Sequence, residues 1–297
     1  MGEVSADAVT LDLLREARET VSSSPLGVIN TPMIPWCQTT LPLDIHCNIH
    51  IKLENMQKTG SFKIRGVANQ FARRPRGGHF VTVSAGNYGK SFAYASKHYG
   101  SKGKVVMPET APVSRSTLIQ SFGVEVERVP TCCLMNVVNR CVQEGDMTFL
   151  HSYDDLDLIA GHASLGLEVL EVIPEPDVVV VCCGGGGLLA GVAAAIKLSG
   201  CDKTRIYGVE PDGGVSLRRS QWAWTPRASP QDLHHLLQAR CPSSCVSVTS
   251  GLVVEPSGCA AFAAIVNDKI PELEGKSVVC ILSGGNIGKD ELVNFPG

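Results

Sequence analysis

The first candidate binding segment is a run of four consecutive glycines, Gly184, Gly185, Gly186 and Gly187. A backbone without side chains can wrap closely around a phosphate group, and a helix that follows it adds a partial positive charge. The run lacks the Lys-Ser/Thr ending of a P-loop and the GxGxxG spacing of a dinucleotide site. The glycine loop therefore predicts a phosphate site outside those two classes.

Three other segments could complete such a site. One lies between a predicted strand and a predicted helix and reads SAGNYG at 84–89. Backbone N–H groups at a helix N-terminus can hold a carboxylate. The second begins a helix-compatible segment and reads SFKIRG at 61–66, and the third follows the last apolar run and reads SGGN at 283–286. Each alone is typical of a turn or a solvated surface, so their weight comes from occurring together.

The predicted elements would bring these loops to strand ends. Five short apolar runs each end in a turn and lead into another segment, at 79–83, 104–107, 177–183, 205–209 and 277–282. Continuous β-branched runs are typical of parallel strands covered by helices on both faces. An α/β class with doubly wound sheets is therefore predicted. In such sheets ligands bind beyond the carboxyl ends of the strands.

A further segment, at 44–54, alternates between apolar and polar residues. Its apolar positions are Ile45, Cys47, Ile49, Ile51 and Leu53. Strict alternation indicates a half-buried strand with its polar side chains toward solvent. His46 and His50 have the spacing of a helical metal pair, but on a strand they lie about 13 Å apart. We expect both to face solvent.

The composition excludes several classes of protein. Apolar residues make up 44% of the 297 residues, which is enough to form cores, so disorder is not expected. The formal net charge of −3 gives no general attraction to nucleic acid or acidic membranes. The uncharged stretch at 178–196 has the length of a membrane span. Because the glycine loop interrupts it, a strand, a turn and a helix are predicted there and no membrane helix.

The N-terminal segment and the cysteines indicate a reducing compartment. Glu3 and Asp7 lie in a segment that has no apolar core preceded by basic residues, so no secretory or mitochondrial signal is expected. The 12 cysteines occur singly or as adjacent pairs without CxxC spacing, which argues against a zinc ribbon or disulfide scaffold. A cytoplasmic location is the expectation.

Taken together and in this order, SFKIRG, SAGN, GGGGLLAG and SGGN resemble the fold type II pyridoxal-phosphate enzymes, in the serine/threonine dehydratase and serine racemase branch. The similarity runs from about residue 31 to residue 287. The resemblance implies two doubly wound open sheets of the tryptophan synthase β-like type, and a homodimer. It also implies a large domain formed by 1–76 and 157–297, a small domain at 77–156, and the cofactor between them.

The resemblance assigns the covalent chemistry to Lys63. This lysine would form the Schiff base with pyridoxal 5′-phosphate and then act as the base that removes the α-proton of the substrate, because a partly desolvated amine can be neutral and nucleophilic. Phe62 would pack near the cofactor ring. Asn87 would hydrogen-bond the 3′-oxygen of the cofactor. The substrate carboxylate would be held by the loop formed by Ser84, Ala85, Gly86 and Asn87.

The remaining implied roles concern the phosphate, the pyridine nitrogen and a metal. The four glycines and Leu188 would bind the phosphate through backbone N–H groups, and Ser283 would face the pyridine nitrogen. Glu210 matches the first of the divalent-cation ligands of the family, for magnesium or manganese, but the usual downstream acid is missing from its usual place. A lone Glu at a strand end is more often solvated.

The implied reaction is β-elimination of L-serine or L-threonine to a 2-oxo acid and ammonia. A neutral hydroxyl from Ser283 leaves the pyridine nitrogen largely unprotonated, so the ring is a weaker electron sink and transamination is disfavoured. The alternative is serine racemase, which needs a second acid/base group opposite Lys63. Serine racemases carry Ser at the position of Ala85, whose methyl group cannot exchange a proton.

The sequence departs from the family pattern at three places. Tyr88 replaces the usual His, and His162 replaces the expected Gln. The segment at 216–250 breaks in composition from its neighbours, with two of the three tryptophans and clusters of Arg and Pro. We expect this segment to pack poorly, so a catalytically impaired relative is the third functional hypothesis.

Overall fold

The structure is a computed structural model that describes residues 9–36, 46–211, 236–239 and 252–288. The helices within these ranges are α1 Leu11–Ser22, α2 Lys63–Ala72, α3 Asn87–Tyr99, α4 Val113–Gln120, α5 Leu134–Glu144, α6 Leu156–Val172, α7 Gly187–Leu198 and α8 Ala260–Val266. The strands are β1 Met33–Pro35, β2 Asn48–Leu53, β3 His79–Val83, β4 Lys102–Pro108, β5 Glu125–Val129, β6 Thr148–Phe149, β7 Val178–Cys182, β8 Arg205–Pro211, β9 Leu236–Ala239 and β10 Ser277–Leu282. The expected poor packing at 216–250 concerns residues that lie, apart from β9, outside the described ranges.

The strands form two sheets that are almost entirely parallel. The larger sheet has the order β1-β2-β10-β7-β8-β9, and only its edge strand β1 runs antiparallel to its neighbour. The smaller sheet has the order β5-β4-β3-β6 and is parallel throughout. The predicted α/β class with two doubly wound sheets is confirmed.

Helices cover both faces of the larger sheet. Successive residues of β7 point to opposite sides, because side chains alternate along a strand. Val178 and Val180 pack in a cluster that includes Phe262 of α8. Val179 and Val181 pack in another cluster that contains residues of α6 and α7. Since both faces are covered, the strand needs a continuous apolar run, which is the pattern in the sequence.

The smaller sheet is covered in the same way. Val81 and Val106 pack against Val138 of α5. Phe80 and Met107 face the other side, in a cluster with residues of α2 and α3. All strands between 79 and 149 belong to this sheet, whereas the strands before and after belong to the larger one. The exact domain boundaries near residues 76 and 157 stay a prediction.

Strand β2 is half-buried as predicted over its first residues but fully buried at its C-terminal end. Ile49, Ile51 and Leu53 are buried as expected, but Lys52 is also buried, with 1% exposure. Its ammonium group lies 2.7 Å from the Glu168 carboxylate of α6. A buried ion pair permits a lysine at this end of the strand, where α6 covers the polar face, whereas Asn48 on the same face is exposed. His50 is half-buried, whereas His46 is exposed as expected.

The apolar stretch at 178–196 divides as the sequence predicts. It forms β7, the glycine loop and the beginning of α7. None of the helices in the described residues is both long enough and apolar enough to cross a membrane.

Candidate active site

Lys63 is half-buried at the first position of α2. Its amine donates a hydrogen bond to the Ser152 carbonyl oxygen at 2.7 Å. Burial lowers the pKa of Lys63 to about 8, and the neighbouring Cys182 opposes this shift. About a tenth of such an amine is neutral at pH 7, so the site favours a nucleophilic lysine.

Aromatic rings surround the Lys63 amine. The amine lies 5.1 Å from the centroid of the Phe62 ring and 5.8 Å from that of Tyr88. Tyr88, at the position where the family has His, is buried and donates to the Gln70 side chain at 2.6 Å. His162 packs edge-on against Phe62, with ring centroids 4.9 Å apart. Burial, assisted by nearby cations, holds the pKa of His162 well below its usual value, so its ring is neutral.

The glycine loop connects β7 to α7 and takes conformations that a side chain would prevent. Gly186 has a φ of +84°, in the left-handed region that favours glycine. A Cβ on Gly185 would lie 2.2 Å from Cγ of Tyr153, whereas a Cβ on Gly184 would meet no described atom within 4 Å. Gly184 therefore borders open space beside the N-terminus of α7, where the first backbone N–H groups have no helical acceptor. Leu188, in the first turn of that helix, is buried.

The loop at 84–89 is held by its own serine. The Ser84 hydroxyl accepts hydrogen bonds from the backbone nitrogens of Gly86 at 3.3 Å and Gly89 at 2.9 Å. The Ala85 carbonyl oxygen accepts from Arg115 at 3.0 Å. A Cβ on Gly86 would meet no described atom within 4 Å, so the loop has open space beside it where α3 begins. The Ser84 hydroxyl thus shapes the loop from within.

The loop after β10 joins two of the other motifs. The Phe62 nitrogen donates to the carbonyl oxygen of Ser283 at 3.0 Å, and Ser61 forms an antiparallel bridge with Gly284. The Asn286 side-chain nitrogen donates to the Asn87 side-chain oxygen at 2.7 Å. SFKIRG, SAGN and SGGN are therefore in direct contact, and all three contain residues predicted for one site.

Three further residues of this region were missed by the sequence reasoning. The Asn87 side chain donates to the carboxylate of Glu255. The thiol of Cys182 is hydrogen-bonded to the Ser283 side chain, and burial raises the pKa of this thiol to about 11, so it is neutral at pH 7. Lys90 donates to the Asn286 side chain at 2.6 Å. Two of them had a signal in the sequence. Glu255 is a carboxylate inside the apolar run before Pro256, and Lys90 lies one helical turn after Asn87.

A buried ion cluster supports the helix that carries Lys63. Arg65 contacts the carboxylates of Glu54 and Glu168, each through two nitrogens, at 2.7–2.8 Å. Lys52 completes the cluster through Glu168. All four side chains are at most 8% exposed. Two cations and two carboxylates balance in charge, as burial requires.

The predicted metal ligand lies near the end of β8. Glu210 is buried, with 3% exposure, and so is not a solvated carboxylate. Within the described ranges, no group of three or more His, Cys, Asp or Glu side chains could hold a metal ion. The residues that follow Pro211 lie outside those ranges. A magnesium or manganese site at Glu210 stays a prediction.

The residues present fit pyridoxal phosphate. The partly desolvated Lys63 amine, with its lowered pKa, suits attachment of a carbonyl group, and the open space at Gly184 beside a helix N-terminus suits a phosphate. A family model described as "Pyridoxal-phosphate dependent enzyme" matches residues 25–244.

Known proteins resemble this chain over most of its length. The L-threonine ammonia-lyase of Thermotoga maritima is 31% identical over 314 residues, covering 94% of this chain and 76% of that protein. Among solved structures, maize serine racemase matches with a TM-score of 0.83 and 26% identity, covering 96% of each chain. A threonine deaminase from T.th. matches with a TM-score of 0.80 and 26% identity, covering 94% of this chain and 99% of that one.

Proposed function

The chain belongs to the family of pyridoxal-phosphate-dependent enzymes, and from this premise we propose that it is an ammonia-lyase. It would convert L-serine or L-threonine to a 2-oxo acid and ammonia by β-elimination. The observation that carries the proposal is the half-buried Lys63, whose amine has its pKa lowered to about 8 by desolvation and lies among residues of the motif loops. The ammonia-lyase and threonine deaminase among its relatives support the same reaction.

Pyridoxal phosphate, when bound, supplies an aldehyde for attachment of the amino group and a ring that withdraws electrons from the α-carbon. Lys63 would hold the aldehyde as a Schiff base and, once displaced by substrate, remove the α-proton. A pKa near 8 suits this role, because the amine can both accept and return a proton close to neutral pH.

The surrounding residues would bind and orient cofactor and substrate. The phosphate would accept hydrogen bonds from the backbone N–H groups of Gly184, Gly185, Gly186, Gly187 and Leu188. Asn87 would donate to the 3′-oxygen and Ser283 would face the pyridine nitrogen, while Phe62 packs beside the ring. The substrate carboxylate would lie against the loop of Ser84, Ala85, Gly86 and Asn87, at the N-terminus of α3. Glu210 would remain the candidate for a divalent cation.

The identity of residue 85 favours elimination over racemisation. Racemisation needs a proton donor on the face opposite Lys63, and the Ala85 methyl group carries no exchangeable proton. The fold is shared with maize serine racemase, so the scaffold itself does not discriminate between the two reactions. An impaired enzyme, owing to the segment at 216–250, is the remaining alternative.

The organisation of the protein follows from the same premise. The two sheets support a large domain from 1–76 and 157–297 and a small domain at 77–156, with the cofactor between them. None of the cysteines in the described ranges forms a disulfide bond, which is consistent with the proposal of a reducing compartment such as the cytoplasm. A homodimer rests on the family resemblance, and light scattering of the purified protein would test it.

A spectrum and a product assay test the proposed function. Purified protein mixed with pyridoxal phosphate should develop the visible absorption of a Schiff base, and Lys63→Ala should abolish it. Addition of L-serine or L-threonine should release 2-oxo acid and ammonia in equal amounts. Lys58→Ala, at an exposed lysine five residues earlier, is the matched control and should behave as the wild type. Absence of a Schiff-base band with excess cofactor would overturn the proposal.

A further inference from the structure

Four side chains form a continuous chain of hydrogen bonds across the candidate site. The Lys90 amine donates to the side-chain oxygen of Asn286 at 2.6 Å. The Asn286 side-chain nitrogen donates to Asn87 at 2.7 Å and to the Thr59 carbonyl oxygen at 2.8 Å. The Asn87 side-chain nitrogen donates in turn to the Glu255 carboxylate. The chain therefore runs from a cation at one end to an anion at the other.

The charged ends decide which way both amides point. An ammonium group only donates hydrogen bonds and an ionised carboxylate only accepts them. A reversed Asn286 side chain would bring its NH₂ group against the Lys90 ammonium and leave its oxygen facing another oxygen. Burial lowers the pKa of Lys90, but the nearby Glu255 carboxylate opposes this and favours the ammonium form.

The backbone leaves room for this arrangement at two glycines. Gly60 has a φ of +75°, and a Cβ there would lie 2.3 Å from the side-chain oxygen of Asn286. A Cβ on Gly284 would lie 2.6 Å from the Glu255 carboxylate and 3.1 Å from the Asn87 side-chain nitrogen. Side chains at either position would therefore displace the amides.

We propose that Lys90 and Asn286 are positioning residues, which fix the Asn87 side chain with its nitrogen toward the cofactor. This inference rests on the proposed function, in which Asn87 donates to the 3′-oxygen. The Asn87 nitrogen carries two hydrogens, so one remains for a ligand oxygen when the other is bonded to Glu255. In the reversed orientation, the amide oxygen would face the 3′-oxygen and repel it.

Two variants break the chain at different links. Asn286→Asp has the same shape and keeps an acceptor for Lys90, but it has no hydrogens for Asn87 or Thr59. Lys90→Met removes the donor that orients Asn286, whereas Lys90→Arg keeps a donor-only cation. Lys97→Met removes an exposed lysine of the same helix and is the matched control. The readouts are the dissociation constant of pyridoxal phosphate from the apoenzyme, the visible spectrum of the bound cofactor, and the apoenzyme melting temperature.

Asn286→Asp and Lys90→Met should each weaken cofactor binding about tenfold or more, as expected for loss of a hydrogen bond to a charged oxygen. Both should shift the visible band, because the donor stabilises the ionised 3′-oxygen. Lys90→Arg should restore both properties, and the control should match the wild type. Unchanged affinity and spectrum in both variants would overturn the inference. It would also be overturned if the weaker binding is fully explained by a lowered melting temperature and Lys90→Arg restores neither property. Wild-type protein that does not bind pyridoxal phosphate would overturn the proposed function itself.

Discussion

Arg65 contacts both oxygens of the Glu54 carboxylate, at 2.7 Å from Nε and 2.8 Å from Nη2. Both side chains are fully buried, and Arg65 lies two residues after Lys63 on the same helix. A second carboxylate, Glu168 of α6, contacts the same guanidinium. The helix that carries the candidate catalytic lysine is therefore tied to two other elements through one arginine.

Replacement of Arg65 should destabilise the protein strongly. Arg65→Met would leave two buried carboxylates with only Lys52 as a cation, and breaking a buried ion pair costs about 3–5 kcal/mol. The free energy of unfolding from urea denaturation measures this loss. Arg15→Met, at the exposed pair with Asp12, is the control and should change stability by less than about 1 kcal/mol. If both variants lose the same small amount of unfolding free energy, the buried ion cluster does not contribute to stability as proposed.

Lys63→Met should stabilise the apoenzyme at neutral pH. The folded state lowers the pKa of Lys63 from 10.5 to about 8, so burial of the protonated amine opposes folding. Below pH 8 the lysine is protonated in both states and the cost is complete, on the order of 3 kcal/mol at most. Between pH 8 and 10.5 the unfolded state binds more protons, so the stability of the wild type should rise with pH relative to the variant.

Urea denaturation of the two apoenzymes at a series of pH values checks this difference. The loss of the hydrogen bond to Ser152 reduces the gain but should not reverse it. Lys58→Met, at an exposed lysine, provides the control and should show no such trend. A variant less stable than the wild type at pH 7 would contradict the burial argument.

Two glycines of the phosphate loop should respond differently to alanine. A Cβ on Gly184 meets no described atom within 4 Å, so Gly184→Ala should leave apoenzyme stability unchanged and weaken binding of pyridoxal phosphate. A Cβ on Gly185 would lie 2.2 Å from the Tyr153 ring, so Gly185→Ala should lower the melting temperature of the apoenzyme as well. Calorimetry and cofactor titration separate the two effects. If Gly184→Ala binds the cofactor as the wild type does, the phosphate lies elsewhere.

Ala85→Ser should raise serine racemase activity. The hydroxyl would add a proton donor in the substrate loop, where the wild type has only a methyl group. Chiral chromatography of serine, alongside pyruvate formation, gives the ratio of racemisation to elimination. Ala85→Val adds bulk without an exchangeable proton and should not raise that ratio. If the wild-type protein interconverts the serine enantiomers as fast as it forms pyruvate, the proposal that elimination is the main reaction is wrong.

Local patterns were sufficient to predict the strands and the loops that follow them. The predicted strands at 79–83 and 277–282 coincide with β3 and β10, because β-branched runs between turns have few alternatives. Gly186, with its φ of +84°, likewise reflects a local requirement of the strand-to-helix turn. The sequence by itself thus determined the fold class and the four loops of the candidate site.

Tertiary structure alone decided how the charged residues are used. Lys52 was expected on a solvent face, yet it is buried against Glu168, 116 residues away in sequence. The contact between Asn87 and Glu255 spans 168 residues, and that between Lys90 and Asn286 spans 196. Alternation along a strand shows which residues share a face, but not which helix covers that face or whether it brings a countercharge. Such pairings depend on how elements far apart in the chain pack together, β2 on α6 and α3 on the loop after β10 among them, which no local pattern encodes.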